Sequence, residues 1–310
     1  MLQLTVVIPT HNPDAGRLIR TLAGLKAQTL APECWETVLI DNASSAPILL
    51  ESFGNEAPAN LRLIRESQLG LTAARRRGFN EAHAPLLVLV DDDNVLAPDY
   101  LQHVVRIFTA HPKVGAFGGR SLPEFESAPA PELHEFSPLL ALRDPGGEPR
   151  ISRGLRPDGA KMNEYPVAAA PIGAGMAIRS EAARQWMGTN MGGSITDRRG
   201  GELTSGGDND IVFSIMEHGW EVAYFPELAL THIIPASRLD ERYLARLNRG
   251  IQRSWMQVLT KHGANPWPCI AAWTVPLRKL KAWVTYRAWS GPAARIRWHG
   301  ACGHFEGRAR

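Results

Sequence analysis

Only three cysteines occur in the 310 residues, Cys34, Cys269 and Cys302. They lie far apart, fit no metal-ligand spacing, and read as reduced and incidental. No run of about 18 apolar residues is present, which excludes a conventional membrane span. The first residues lack a basic segment followed by an apolar stretch and a small-residue cleavage site. A cytoplasmic, reducing location is therefore expected. Internal repeats and low-complexity tracts are also missing. What remains is an ordinary globular composition, 44% hydrophobic and 21% charged. The length suits one large α/β domain with an appendage, or two small domains.

The net charge of +3 conceals an asymmetry. From residue 231 onward there are 14 Lys and Arg against 3 Asp and Glu, and the preceding residues carry 20 against 28. Six of the nine tryptophans (Trp255, Trp267, Trp273, Trp283, Trp289 and Trp298) fall in that basic tail. An acidic body and a basic, Trp-rich tail should meet different partners.

The body is organised around Leu86-Leu87-Val88-Leu89-Val90-Asp91-Asp92-Asp93-Asn94. Its apolar run reads as a strand buried on both faces, as in a parallel sheet. Three aspartates follow where such a strand leaves the sheet, the edge at which open α/β sheets bind ligands. Adjacent carboxylates near a low-dielectric core need a counter-charge. Hard oxygen ligands suit Mg²⁺ or Mn²⁺. Taken alone, the triplet reads equally well as an acidic, solvated turn.

Along the chain, Leu4–Pro9 reads as a first strand, with Thr10–Asp14 as its exit loop and a helix over 14–29. Glu36–Ile40 forms a second strand ending on Asp41-Asn42; a helix near 46–53 and a strand Leu61–Ile64 follow. Leu69-Gly70-Leu71 opens a helix carrying Arg75, Arg76 and Arg77. After the central strand come a helix from Pro98 to Ala110 and a strand Val114–Gly118. This alternation signals a doubly wound, mostly parallel sheet. Residues 121–166 hold eight prolines and little periodicity, as in a lid or functional loop. Val167–Ile178, a helix Ser180–Trp186, a glycine-rich loop 188–207, and a short helix from Asp208-Asn209-Asp210 to His218 come next. Glu221–Phe225 and Leu228–His232 read as closing strands, and Arg238–His262 as a helix. The domain expectation is a catalytic unit at 1–235, split near 120 into nucleotide and acceptor halves, and a helical extension at 236–310.

The order of these motifs resembles the inverting family 2 glycosyltransferases of the nucleotide-sugar-binding GT-A fold. The matching stretches are Val7-Ile8-Pro9-Thr10-His11-Asn12, Asp41, Gly70–Gly78 with its arginine, and Asp91-Asp92-Asp93. Gly173-Ala174-Gly175, Gly206–Asp210 and His232-Ile233-Ile234-Pro235 complete them, over roughly residues 4–250. Each is weak alone; together, in order, they are specific.

The resemblance implies that Asp93 contacts a metal and that Asp91 faces the ribose, with Asp92 between them. His232 would complete the metal or diphosphate site; on its own it reads equally well as a satisfied core histidine. Asp41 would accept a hydrogen bond from the nucleotide base, though it also suits a turn or cap. Pro9, Thr10, Asn12, Gly70, Gly173, Gly175, Asp92 and Asp210 join the substrate-binding set, and Arg75 takes the family's arginine position. Inverting transfer needs one carboxylate to remove the acceptor's proton. The family carries it as the aspartate of a Glu-Asp pair opening a helix. Here the pair reads Gly207-Asp208, so Asp208 is the expected base, Asp210 the runner-up, and the glutamate is missing. Asp208 as a mere helix cap is the plain alternative.

The expected partners are a UDP-, GDP- or dTDP-sugar, Mn²⁺ or Mg²⁺, and a glycan or lipid-linked acceptor. The basic, Trp-rich tail suits an anionic membrane surface on the inner face of the cell membrane. Packing on the domain or on a partner is its alternative. Nucleic acid is not expected, and oligomeric state is not legible. A sugar-phosphate nucleotidyltransferase is disfavoured because Thr10–Asp14 offers no Gly-rich, basic cradle. A non-catalytic nucleotide-sugar-binding protein is the other alternative.

Overall fold

The computed structural model describes residues 1–153, 165–189, 197–198 and 203–310. The apolar runs become buried strands. β1 (Leu4–Thr10) and β2 (Trp35–Asn42) are buried at every position, as strands covered on both faces must be. They pair in parallel, with Leu4 opposite Trp35 and Thr10 opposite Asp41. β3 (Leu61–Glu66) flanks β2, and β4 (Leu86–Leu89) flanks β1, again in parallel. The first helix, α1 (Ala15–Lys26), starts where Asp14 accepts a hydrogen bond from Arg17 N at 3.0 Å.

The connecting helices divide between the two faces of the sheet. Leu18, Leu22 and Leu25 of α1, with Leu101, Val104 and Phe108 of α3 (Tyr100–Ala110), cover Val6, Ile8, Leu39 and Val88. Ala74 and Phe79 of α2 (Leu71–Glu81) cover the alternate residues Val7, Val38, Leu87 and Leu89. Trp186 of α4 (Ser180–Thr189) and Ile211 and Ile215 of α5 (Gly207–Glu217) extend that second layer. The strands' side-chain alternation thus feeds two cores, as a doubly wound sheet requires.

Five more strands complete the sheet: β5 (Asn94–Leu96), β6 (Val114–Phe125), β7 (Arg150–Ser152), β8 (Ala177–Arg179) and β9 (Glu221–Ile234). The order is β3-β2-β1-β4-β8-β6-β9-β5, with β7 also on β9. The strands β1, β2, β3, β4, β6 and β9 run one way, and β5, β7 and β8 run against them.

The structure corrects several boundaries. The helix expected near 46–53 is a 3₁₀ segment, Leu50–Glu56, broken at Gly54 where φ is 52°. β6 continues past Gly118 to Phe125 because its pairing with β9 carries it through Pro123. The two closing strands are one, β9, running through Pro226. Of Val167–Ile178, only the end joins a strand. The stretch 121–166 also holds a 3₁₀ helix, Pro131–Leu140, and β7. Most of the expected loop at 188–207, and residues 154–164, lie outside the described residues.

Beyond β9, a 3₁₀ turn (Ala236–Arg238) leads into α6 (Glu241–Lys261), capped by Asp240. Leu244 and Leu247 of α6 pack with Leu133, Phe136 and Leu140, and with Ile296 of α8 (Pro292–Arg308). The extension is therefore packed onto the body of the fold. The intervening α7 (Val275–Thr285) buries only Val275 and Ala282.

Candidate active site

Strand ends gather the carboxylates. The chain leaves β4 through Val90 and the three aspartates, then enters β5, where Asn94 pairs with His232 on β9. That register puts His232 Nε2 3.3 Å from Asp93 Oδ1. Arg238, six residues past His232, reaches back to Asp93 Oδ2 at 2.9 Å. Asn94 Nδ2 donates to Asp93 Oδ1 at 3.1 Å, and the Thr10 hydroxyl donates to Asp92 Oδ2. Burial opposes ionisation of Asp93, but the His232 hydrogen bond and the Arg238 charge hold its carboxyl well below the usual range. Burial, and then the charge of Asp93, push Asp91 and Asp92 the other way. The cluster is short of positive charge.

A second cluster faces it across a cleft of about 370 Å³. Arg75, buried on α2, places Nη1 2.7 Å from Asp208 Oδ1 and 3.0 Å from Asp197 Oδ2. Asp208 sits in the first turn of α5, and its Oδ2 accepts from Gly173 N at 2.7 Å. Its side chain keeps 27% exposure, whereas Arg75 and Asp197 keep 3% and 5%. Asp208 is thus the member of this trio most open to the cleft. Gly173 permits the approach: a Cβ there would lie 2.5 Å from Arg75 Nη2 and 2.7 Å from Asp208 Oδ1.

The cleft is lined by Pro9, Thr10, Arg75, Asp91, Asp92 and Asp93, and by Asp208 and His232. The other expected residues fall elsewhere. Asp41 is buried; Arg65 meets its Oδ2 at 2.7 Å and Ser44 N donates to its Oδ1, so its neighbour Asn42 faces the cleft instead. Asn12 ties the first exit loop to the second through Ser44 and Ser45, and His11 lines the cleft. Gly70 donates its N–H to Asn42 Oδ1 at 2.8 Å and precedes α2 with φ 139°. The Gly175 carbonyl accepts from the buried Tyr100 hydroxyl at 2.6 Å, a packing duty. Asp210 turns from the cleft because two residues along a helix rotate a side chain by about 200°. There it accepts from Trp186 Nε1 at 2.9 Å and meets Lys261 at 2.6 Å and His262 at 2.9 Å.

Sequence reasoning missed Arg238, Asp197 and Arg198, all of which line the cleft. Arg238 carried a signal, a lone arginine just past the strand that holds His232. Asp197-Arg198 had none beyond sitting in a glycine-rich loop. Leu247 and Ile251 of α6 also line the cleft, so the extension supplies part of its wall.

Among the described residues, no three His, Cys, Asp or Glu side chains converge to hold a metal by themselves. The donor chemistry nevertheless fits Mn²⁺ or Mg²⁺. Asp93 and His232 are adjacent, and His232 Nδ1 is buried without a hydrogen-bond partner among the described residues. Two neighbouring carboxylates are incompletely neutralised, and Mg²⁺ habitually takes one or two carboxylates plus phosphate oxygens and water.

The sequence model described as "Glycosyl transferase family 2" matches residues 5–185, more than half of the chain. A validoxylamine A glucosyltransferase of Streptomyces hygroscopicus subsp. limoneus is 34% identical over 152 residues, which are 47% of this chain and 33% of the relative. The succinoglycan biosynthesis protein ExoW of Rhizobium meliloti is 34% identical over 113 residues, 35% of each chain. The O-antigen biosynthesis protein RfbC of Myxococcus xanthus is 29% identical over 143 residues, 42% of this chain and 11% of the relative. The matched region thus spans about a third or less of these relatives. With the family's motifs assembled around one cleft of a mostly parallel GT-A-type sheet, the chain belongs to glycosyl transferase family 2.

Proposed function

We propose that the protein moves a hexosyl group from a nucleotide diphosphate to a hydroxyl of a glycan or lipid-linked acceptor, with inversion. The observation that carries this is Asp208, a part-exposed carboxylate fixed by Gly173 N–H and Arg75 at the edge of the acidic cleft. In the single displacement, Asp208 takes the acceptor hydroxyl's proton as the acceptor oxygen bonds to the anomeric carbon. The bond from that carbon to the diphosphate oxygen breaks, and its electron pair leaves with the nucleotide. His11, Asn42, Arg198 and Arg238 line the cleft; the first two would bound the base, and the two guanidinium groups would meet the diphosphate. Asp93 and His232 would hold Mn²⁺ or Mg²⁺, which supplies positive charge to the departing diphosphate. The relatives named for succinoglycan and O-antigen biosynthesis support envelope polysaccharide assembly as the setting.

The acceptor's lipid-linked character is supported by α7. Trp273, in the 3₁₀ turn just before α7, and Leu277, Leu280 and Val284 on α7 recur at helical spacing with exposures of 75%, 63%, 61% and 55%. Arg278, Lys281 and Arg287 are exposed beside them. Trp and basic residues on one amphipathic surface match the headgroup region of an anionic bilayer. Among the described residues, no helix is long and apolar enough to cross a membrane. The bilayer is met peripherally, on its inner face.

The assay is nucleoside diphosphate release from a panel of UDP-, GDP- and dTDP-hexoses. Asp208→Asn should retain donor binding and lose about two to four orders of magnitude in turnover. Wild-type turnover in that variant would remove Asp208 as the base.

A further inference from the structure

We infer that Asp197 is a positioning residue of this site: its carboxylate occupies the place of a side chain at 207 and holds Arg75 for the base Asp208. The inference rests on the assignment of Asp208 given above. α5 opens on Gly206-Gly207-Asp208, so the residue before the base has no side chain. A Cβ built on Gly207 would lie 2.4 Å from Asp197 Oδ2 and 3.2 Å from Arg75 Nη1. The volume that a longer residue would enter is filled by a carboxylate from a different segment, and that carboxylate meets the same guanidinium.

The segment carrying Asp197 is fixed on two sides. The Asp197 carbonyl accepts from the Thr204 hydroxyl at 3.1 Å, just before α5. The Arg198 carbonyl accepts from Leu71 N at 3.0 Å, at the start of the helix that bears Arg75. Asp197 therefore ties the base's helix to the arginine's helix. It also divides the pull of Arg75, whose single Nη1 faces both Asp197 and Asp208. Without Asp197 that guanidinium would act on Asp208 undivided, making Asp208 a weaker base. A base clamped by an undivided guanidinium and a base drawn aside by about 1 Å are both costly for proton transfer.

The test moves the carboxylate. In the full chain, nucleoside diphosphate release is followed with whichever of UDP-, GDP- or dTDP-glucose the wild type turns over. Asp197→Ala should lower kcat by about 10- to 100-fold with donor KM little changed. The acidic limb of its kcat profile should move to lower pH, a change that loose packing alone does not produce. The other charged or titratable groups facing this trio, Asp91, Arg198 and Tyr165, are unaltered in the variant. Gly207→Asp alone should be destabilised, because its side chain meets Asp197 at overlap distance with like charge. The pair D197A/G207D should recover most of the lost kcat, a strongly non-additive result for two residues in contact. Asp197→Asn keeps the size and removes the charge, so its pH profile decides the matter if the alanine variant fails to fold. A folded double variant no better than D197A, beside an inactive Asp208→Asn, overturns the role of Asp197 alone. Wild-type kcat and pH profile in D197A overturns it too. An active Asp208→Asn instead brings down the base assignment beneath it.

Discussion

Gly173→Ala is the smallest change that reaches the chemistry without replacing a charged residue. The added methyl would sit 2.5 Å from Arg75 Nη2 and 2.7 and 2.8 Å from the two Asp208 oxygens. All three separations are below van der Waals contact, and the two residues it strikes are already bound to each other. Overpacking of this kind costs about 1–3 kcal/mol. For a chain of this size that is a fall in melting temperature of about 2–4 °C per kcal/mol. The larger effect is on rate, because the methyl can be accommodated only by moving Asp208 or Arg75. A displacement near 1 Å of a proton-accepting group costs about 100-fold in turnover. Gly188→Ala is the control: it lies at the end of α4, and no atom of the described residues comes within 4 Å of the new methyl. Its melting temperature and turnover should match the wild type or exceed it slightly. Thermal melts and initial rates on the two variants suffice. A Gly173→Ala protein that folds and turns over like the wild type would refute the view that Gly173, Arg75 and Asp208 form the reacting centre.

Asp93→Ala should abolish the stabilisation of the protein by a nucleotide sugar plus Mn²⁺ in thermal-shift measurements while the unliganded melt persists; undiminished activity in excess chelator would contradict the metal assignment. His262, buried between Asp210 and Glu217, is pushed down by burial but pulled up further by those two partners, so its proton affinity exceeds the usual value of about 6.5. Its contribution to stability is full below about pH 6.5 and is lost as pH rises through the higher folded-state value. Urea unfolding should therefore show the wild type losing stability faster than His262→Gln above that pH, and parallel curves would exclude the coupling. Replacing Trp273, Leu277 and Leu280 together by serine should sharply weaken sedimentation with anionic vesicles, and the remainder, about 1 kcal/mol from each nearby basic residue, should vanish with added salt. If the wild type itself ignores those vesicles, α7 is not a bilayer contact.

The local signals were legible because they are dictated by near neighbours. Runs of apolar residues gave the centres of β1 and β2 and the whole of β4, since a strand covered on both faces is mostly apolar. The triplet Asp91–Asp93 and His232 came together because each lies where a strand leaves or closes the sheet. Asp208 and Asp210 show the limit: both stood in one motif, and only the phase of α5 separates the one in the cleft from the one bound to Lys261 and His262. Arg238 and Asp197 depended on contacts across the chain, Asp197 on Arg75 at a separation of 122 residues, which no spacing encodes. β6 was cut short because Pro123 argues locally against a strand, and its pairing with β9 prevailed. The tail's tryptophans looked equivalent in sequence. The fold sorts them: Trp255 packs beside Phe213 and Trp298 donates to Lys279 O at 3.0 Å, while Trp273 and Trp289 stay more than half exposed.

The central claim is a single displacement with Asp208 as its base, and the stereochemistry of the product tests it most directly. Proton NMR of the first-formed glycoside, recorded before any anomeric equilibration, reads the configuration against that of the donor. A single carboxylate that accepts the proton and forms no bond to sugar gives inversion. A product that retains the donor's anomeric configuration would require a second displacement or a front-side path, and would contradict the mechanism built on Asp208.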